Sequence, residues 1–363
     1  MIKNIQYLRF VAALLVVIAH ANLQIFGVPA GITNIAGVGV DLFFVISGFI
    51  MPFILFGGLY KPGSLATNTA SAFMLRRLAR IWPMYFLATV ASMVLSGMVA
   101  FRLFGEPNID LSYAFNSSRL SLKWLFESMT FTHWARPPLL GVGWSLQVEF
   151  FFYTAIAFGL FFGAKKLESL EFGVLGFFFL LMLLASVTTT NSLIAQDFSN
   201  PLIVEFLFGL FLYRAVSNGI LMKKSLAIST IFLFIPLVLL VTLNDVIQIS
   251  IPNLDRSIQW GVPALLLVWA AISLEGTVKE IKLMSLLGDA SYSTYLVHAL
   301  VGPLYIFYTV KFNIATTIGP YVYLAGMLLL CHAAGIAAHI FVEKPINNIV
   351  KNFTFMRKTL TAS

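Results

Sequence analysis

Charged residues are scarce in this sequence. They make up only 10% of its 363 residues, whereas apolar residues make up 59%, and the mean hydropathy is +0.91. A soluble domain of this length carries about 25% charged residues. No soluble core can bury this much apolar surface, so the composition excludes the soluble classes and indicates that a lipid bilayer is the main solvent of the chain.

Cysteine is nearly absent as well. The single cysteine, Cys331, lies in a late apolar run. One thiol cannot build a disulfide framework or a thiolate metal site, so both are excluded. We expect Cys331 to be a small buried apolar residue.

Long apolar runs dominate the chain. They predict an all-α polytopic membrane protein, because a spanning helix needs about 20 apolar residues. We expect about ten spans, near 5–26, 37–56, 78–100, 145–163, 170–188, 201–217, 225–243, 257–274, 291–310 and 317–342. They form one predicted transmembrane domain, 1–345, followed by a short cytoplasmic tail, 346–363. Between the third and fourth spans, "SRLSLKWLFESMTF" predicts an amphipathic helix at the membrane interface.

The basic residues are distributed unevenly around the predicted spans. With the N-terminus inside and ten spans, most of the 23 Lys and Arg residues fall on the inner side. This asymmetry predicts that both termini are cytoplasmic. The net charge of +8 is then mainly a property of the inner face. It indicates contact with anionic membrane lipids rather than with nucleic acid.

Several ionisable residues interrupt the apolar runs, where a charge is costly and therefore a candidate for function. His20 lies in the outer half of the first predicted helix. Asp41, Glu149 and Glu205 each lie near the outer end of another helix, at a similar depth. A carboxylate beside His20 can select its tautomer and make the ring more basic. The alternative is a structural polar cluster that holds helices together.

A second set of charges lies at the inner side. Arg76, Arg77 and Arg80 are at the mouth of the third helix, and Arg77 and Arg80 are spaced i, i+3. Arg9 precedes His20 by eleven residues, which is about three helical turns and places the two on nearly one face. Guanidinium groups of this kind can bind phosphates with two hydrogen bonds each. Arginine also gathers at inner helix mouths for topological reasons alone.

Smaller polar and glycine features have structural interpretations. Gly48 allows two helices to approach closely, and Ser47 can form a hydrogen bond across a helix pair. His332 and His339 are seven residues apart and share a helix face, but no third ligand accompanies them. We therefore predict no metal site.

These segments together resemble the acyltransferase-3 family of integral membrane acyltransferases. The resemblance covers essentially the whole chain, in order. Its motifs are Arg9 and His20 in the first helix, "VDLFFVISGF" from Val40 to Phe49, Arg77 and Arg80 followed by Ile81, Pro83 and Tyr85, "WSLQVEFFFY" from Trp144 to Tyr153, "SYSTYLVH" from Ser291 to His298, and Glu343 with Pro345. Many relatives carry an additional C-terminal esterase-like domain. We expect a stand-alone enzyme here.

The resemblance implies a bacterial inner-membrane enzyme that moves an acyl group, usually acetyl, from acyl-CoA. The implied acceptor is a hydroxyl group of a cell-surface glycan or of its lipid-linked precursor. The donor would be held by residues at the inner side, for which the candidates are Arg9, Arg76, Arg77, Arg80, Tyr295 and His298. The oligomeric state is left open between one copy and a homodimer.

We predict that His20 acts as the general base on the acceptor hydroxyl and that Asp41 orients it, with Glu149 as a third catalytic candidate. A transient acyl-imidazole on His20 is the competing mechanism. The competing function is a glycolipid or polysaccharide transporter with a proton relay, which also uses buried carboxylates and histidines. A transporter more often shows inverted repeats and midplane sites, and neither is visible in the sequence. A purely structural scaffold leaves the intramembrane charges unexplained.

Overall fold

A computed structural model of the chain describes residues 2–104, 111, 114–115, 120–133, 136–187, 200–243, 254–277 and 279–349. Within these ranges the regular secondary structure is helical and no strand occurs, as the composition predicts. The predicted tail lies outside the described residues from position 350 onward.

Twelve helices of eight residues or more form the framework of the described chain. They are α1 (Lys3–Ala19), α2 (Val38–Leu55), α3 (Ala70–Ala100), α4 (Leu122–Met129), α5 (Gly143–Phe161), α6 (Leu167–Val187), α7 (Ile203–Ser217), α8 (Lys224–Leu243), α9 (Val262–Ser273), α10 (Lys282–Asp289), α11 (Ser291–Lys311) and α12 (Ile314–Ala338). Two π-helical turns adjoin them, Ser257–Gly261 before α9 and His339–Glu343 after α12.

Seven of these helical segments are long and apolar enough to cross a membrane. They contain α2, α3, α5, α6, α8, α11 and α12. The chain is therefore a multi-pass membrane protein. Helices α1, α7 and α9 also fall on predicted spans, but they have only 17, 15 and 12 residues. The count of ten spans and the cytoplasmic termini stay predictions.

Helix α4 lies where the amphipathic segment was predicted. The Ser121 side chain caps it by accepting a hydrogen bond of 3.3 Å from the Trp124 backbone N–H. Leu122 and Phe126 are mostly exposed, whereas Met129 is buried. The helix is confirmed, and its position at the membrane interface stays a prediction.

The chain divides into two compact units. The first contains Met1–Ala19, Val28–Met74 and Ser145–Gly288, and the second contains His20–Gly27, Leu75–Trp144 and Asp289–Ser363. Helices α1, α2 and α5 to α10 thus build the first unit. Most of α3, with α4, α11 and α12, builds the second.

Close helix crossings organise the first unit. A Cβ atom on Gly48 of α2 would collide with the Phe206 carbonyl of α7, and one on Gly209 of α7 would collide with the Val45 carbonyl. Gly39 is pressed in the same way against the Ala12 carbonyl of α1. Small residues let backbones meet where no hydrophobic force drives helices together. The predicted close approach at Gly48 is confirmed.

The second unit is centred on α11 and α12, which pack along each other. Gly335 of α12 lies directly against Thr294 of α11. Nearer the other ends, the Tyr305 hydroxyl of α11 donates a hydrogen bond of 2.8 Å to the Tyr323 carbonyl of α12. These contacts set the relative register of the two helices, and with it the side chains that face each other.

Candidate active site

His20 directly follows the last residue of α1, Ala19, so the helix ends one residue before the histidine. Its side chain is exposed. His20 belongs to the second unit, where its ring lies 5.0 Å from the ring of His298, centroid to centroid, at an interplanar angle of 57°. The structure therefore pairs the predicted base with a second imidazole.

His298 is buried on α11, with 1% of its surface exposed. Its Nδ1 lies 3.3 Å from the Thr294 carbonyl oxygen, one turn earlier. A carbonyl only accepts hydrogen bonds, so Nδ1 carries the proton and Nε2 holds the lone pair. Among the described residues this buried Nε2 has no hydrogen-bond partner. The Tyr295 ring lies 5.7 Å away, centroid to centroid.

A third histidine, His332 of α12, interacts electrostatically with His298. Its Nδ1 donates a hydrogen bond of 2.8 Å to the Leu328 carbonyl, which sets its tautomer in the same way. Three imidazoles from three parts of the chain thus come together within the second unit. The sequence shows each histidine separately, but nothing in it indicates that these three meet.

Asp41 lies in the first turn of α2, as predicted, and is fully buried. Arg256 donates two hydrogen bonds to it, from Nε at 3.2 Å to Oδ1 and from Nη2 at 3.0 Å to Oδ2. Arg256 directly precedes the π-helical turn Ser257–Gly261. Sequence reasoning missed this partner, because Arg256 follows Asp41 by more than 200 residues.

Glu205 lies in the first turn of α7, also fully buried. It interacts electrostatically with both Asp41 and Arg256. Gly261 packs tightly beside it, since a Cβ there would come within 2.9 Å of the Glu205 Cγ. Two of the carboxylates that were predicted to share a depth therefore meet inside the first unit, and Arg256 interacts with both.

Glu149, the third carboxylate, joins α5 to α2. Its Oε1 accepts a hydrogen bond of 2.8 Å from the Ser47 hydroxyl and another of 2.5 Å from the Tyr153 hydroxyl. The predicted hydrogen bond of Ser47 across a helix pair is confirmed, and its partner is Glu149.

The candidate donor-binding arginines lie in both units. Arg9, in the first unit, donates a hydrogen bond of 3.1 Å to Gln6. Arg76, Arg77 and Arg80 are on α3 in the second unit. Arg77 is buried, Arg76 is half-buried and Arg80 is exposed. Spacing alone did not distinguish these three environments.

The N-terminal half of α11 is held in place by Tyr295 and by a buried network. The Tyr295 hydroxyl donates a hydrogen bond of 3.1 Å to the Val142 carbonyl. Glu343 Oε2 accepts from the Ser293 hydroxyl at 2.7 Å and from His339 Nδ1 at 2.8 Å. This link occurs at the π-helical turn His339–Glu343. The sequence marked Glu343 as a motif residue, but gave no indication of its partners.

Among the described residues, no group of three or more His, Cys, Asp or Glu side chains is arranged to hold a metal ion.

Comparison with known proteins identifies the family. The model of the family Acyl_transf_3, described as an acyltransferase domain, matches residues 2–336. The chain belongs to this family. A curated relative is the exopolysaccharide production protein ExoZ of Rhizobium meliloti (strain 1021), which is 30% identical over 322 residues, covering 86% of this chain and 90% of the relative. No solved structure matches the chain.

The predicted resemblance is thereby confirmed, and the chain is a membrane acyltransferase. The acyltransferase motifs fall in both compact units: Asp41 and Glu149 in the first, and His20, Arg77 and His298 in the second. Only the second unit contains candidates for both the base and the donor site.

Proposed function

We propose that this acyltransferase moves an acyl group, most simply acetyl, from acyl-CoA to a hydroxyl group of an exopolysaccharide or its lipid-linked precursor. The proposal rests on family membership and on the similarity to ExoZ, whose name refers to exopolysaccharide production. We place the protein in the bacterial inner membrane with both termini in the cytoplasm, which gives the donor access from the cytosol.

His20 is the proposed general base. The observation that carries this assignment is an exposed imidazole at the end of α1, with a second imidazole behind it. His20 takes the proton from the acceptor hydroxyl while the hydroxyl oxygen attacks the thioester carbon. The carbon–sulfur bond then breaks, and the CoA thiolate takes the proton back from His20. No proton is gained or lost overall, and no metal is needed.

The donor site of this proposal uses the second-unit arginines. Arg77 and Arg80, with Arg76 beside them, bind the phosphates of CoA through charge-assisted hydrogen bonds. The sequence also predicts Tyr295 and His298 of this unit for the donor set, whereas the predicted Arg9 lies in the first unit. The pantetheine arm then extends between helices toward His20, and the acceptor enters from the outer leaflet.

The test is transfer of labelled acetyl from acetyl-CoA by the purified protein, with exopolysaccharide or membrane extract as the acceptor. We expect His20→Ala to lower the rate by about 10²–10⁴-fold, the contribution of a positioned base. Gln24→Ala, an exposed change four residues along the chain, is the matched control and should keep wild-type activity. Thermal unfolding in detergent checks that both variants are folded.

Two results would contradict the proposal. Full activity in His20→Ala removes His20 from the mechanism. Background thiol release together with no CoA binding by the wild-type protein rejects acyl-CoA as the donor. Trapping a labelled acyl group on His20 after acid quench would instead favour the acyl-imidazole mechanism.

Asp41 as the orienting carboxylate is the alternative to an orienting group inside the second unit, and its test is separate. If Asp41 orients His20, Asp41→Asn lowers kcat without changing the affinity for donor. If Asp41 serves only to hold Arg256, the same variant lowers the unfolding temperature and leaves kcat per folded molecule unchanged.

A further inference from the structure

The unpartnered nitrogen of His298 carries the inference. This Nε2 is buried, holds a lone pair because Nδ1 donates to the Thr294 carbonyl, and has no hydrogen-bond partner among the described residues. A buried acceptor without a donor costs about 1–3 kcal/mol. A donor that reaches this nitrogen during function would remove that cost.

The neighbours of His298 narrow the choice of donor. The Tyr295 hydroxyl donates to the Val142 carbonyl, and the His332 Nδ1 proton is used on the Leu328 carbonyl. Neither group therefore offers its proton to His298. The remaining ring beside it is His20, at 5.0 Å between centroids. A direct N–H···N hydrogen bond of about 3 Å spans this separation after a modest ring rotation.

We propose that His298 is the positioning residue of His20. Its Nε2 accepts the N–H of His20, which leaves the other nitrogen of His20 with its lone pair toward the acceptor hydroxyl. When His20 takes up the hydroxyl proton, the hydrogen bond to His298 stabilises the imidazolium that forms. The proton shared between the two rings stays between them, while the hydroxyl proton passes through His20 to the thiolate. This inference rests on the proposed function.

A neutral partner suits this position. A serine-protease histidine is held by a buried carboxylate, whose charge must be stabilised by further hydrogen bonds. His298 is 1% exposed on an apolar helix, where an unpaired carboxylate would be very costly to bury. A neutral imidazole locked into one tautomer supplies the same acceptor at a lower desolvation cost.

The experiment compares three variants of His298 and one control variant, each as purified full-length protein with acetyl-CoA as donor. His298→Phe keeps a ring but removes the acceptor, and should lower kcat by about 10²-fold, less than the roughly 10⁴-fold lost with a charged partner. The KM for acetyl-CoA should stay unchanged. His298→Gln keeps an acceptor oxygen and should recover part of the loss. Tyr308→Phe, at an exposed position on the same helix, is the matched control.

A second readout separates positioning from structure. The protein has five histidines, so ¹⁵N-histidine labelling with His20→Ala as the assignment reference can report the tautomer of His20. We expect one tautomer in the wild-type protein and in His298→Gln, and a mixture in His298→Phe. The tautomer measurement needs no turnover.

The possible outcomes are distinct. Wild-type kcat in His298→Phe, or an unchanged His20 tautomer, overturns the proposal. A raised KM for acetyl-CoA with unchanged kcat instead assigns His298 to donor binding, as the sequence predicts, and also overturns the proposal.

If His298→Phe does not fold, equal losses of kcat in His298→Gln and His298→Ala count against the inference. Inactivity of the wild-type protein with acetyl-CoA challenges the proposed function, while the tautomer measurement still tests His298.

Discussion

At the residue scale, the protein holds ionisable groups away from water in one buried cluster. Its members are Asp41, Glu205 and Arg256. Asp41 and Glu205 are fully buried, and Arg256 is 26% exposed at its side chain. The guanidinium donates two hydrogen bonds to Asp41 and also packs 4.9 Å from the Trp260 ring centroid. One cation thus pairs with the Asp41 carboxylate and interacts electrostatically with the neighbouring Glu205 carboxyl group. The cluster should be far more sensitive to loss of the arginine than an exposed ion pair.

Arg256→Met tests this sensitivity. The substitution keeps an unbranched chain as far as the position of Nε but leaves the Asp41 carboxylate without its donors, so we expect a loss of about 1–3 kcal/mol of unfolding free energy. Adding Asp41→Asn should restore part of it, because a neutral amide costs less to bury. Thermal unfolding in detergent is the measurement.

Arg136→Met is the matched control for that prediction. Arg136 pairs with Glu127 at 3.0 Å, but both side chains are partly exposed, at 35% and 22%. A pair of this kind contributes about 0–1 kcal/mol. Equal losses in Arg136→Met and Arg256→Met would show that burial does not amplify the Asp41–Arg256 pair.

At the element scale, the crossing of α2 and α7 is a close helix contact of the first unit. Gly48 and Gly209 place the two backbones in direct contact, so neither helix has space for a methyl group. The same crossing brings Glu205, near the start of α7, to the Asp41 end of α2. Helix packing and the buried charge cluster therefore depend on each other.

Gly48→Ala should separate α2 from α7 and destabilise the protein by about 1–3 kcal/mol, the usual cost of overpacking. Gly176→Ala is the control, because Gly176 of α6 has open space around its Cβ position and alanine is the better helix former. It should leave stability unchanged or raise it slightly. A Gly48→Ala protein as stable as wild type would contradict the close crossing.

The number of spans is a property of the whole molecule. Seven helical segments meet the length and hydropathy needed to cross a bilayer, while α1, α7 and α9 are shorter. A short helix can still cross where the surrounding protein satisfies its polar groups or the bilayer thins locally. Ten spans require that α9 crosses.

Thiol accessibility on intact cells decides this point. After Cys331→Ala, single cysteines are introduced as Lys223→Cys before α8 and Lys311→Cys at the end of α11, both exposed positions. With ten spans, an impermeant thiol reagent should label only Lys311→Cys until the cells are opened. If α9 does not cross, the two positions lie on the same side and label alike.

Part of the site was accessible to sequence reasoning. Apolar runs located the long helices because the bilayer requires about 20 apolar residues per span. Ionisable residues within those runs singled out His20, Asp41, Glu149 and Glu205 because a charge at that depth is costly. The register within one helix, such as Asp41 in the first turn of α2, also followed from sequence alone.

The partners of these residues could not be found in that way. Depth in the membrane is a property of one helix, whereas a hydrogen bond requires that two helices be neighbours and face each other. Arg256 holds Asp41 from more than 200 residues away, and Glu149 is bound by Ser47 across α2 and α5. His298 of α11 faces His20, which follows α1 more than 270 residues earlier in the chain.

The sequence by itself determined the solvent, the helical class and the short set of ionisable residues within apolar runs, since each follows from the free energy of placing a side chain in lipid. The ordered motifs determined the family. Only the tertiary structure decided which of those residues meet. Helix neighbours are chosen by the close packing of small residues and by hydrogen bonds across interfaces, and both depend on surfaces that exist only once the helices have assembled.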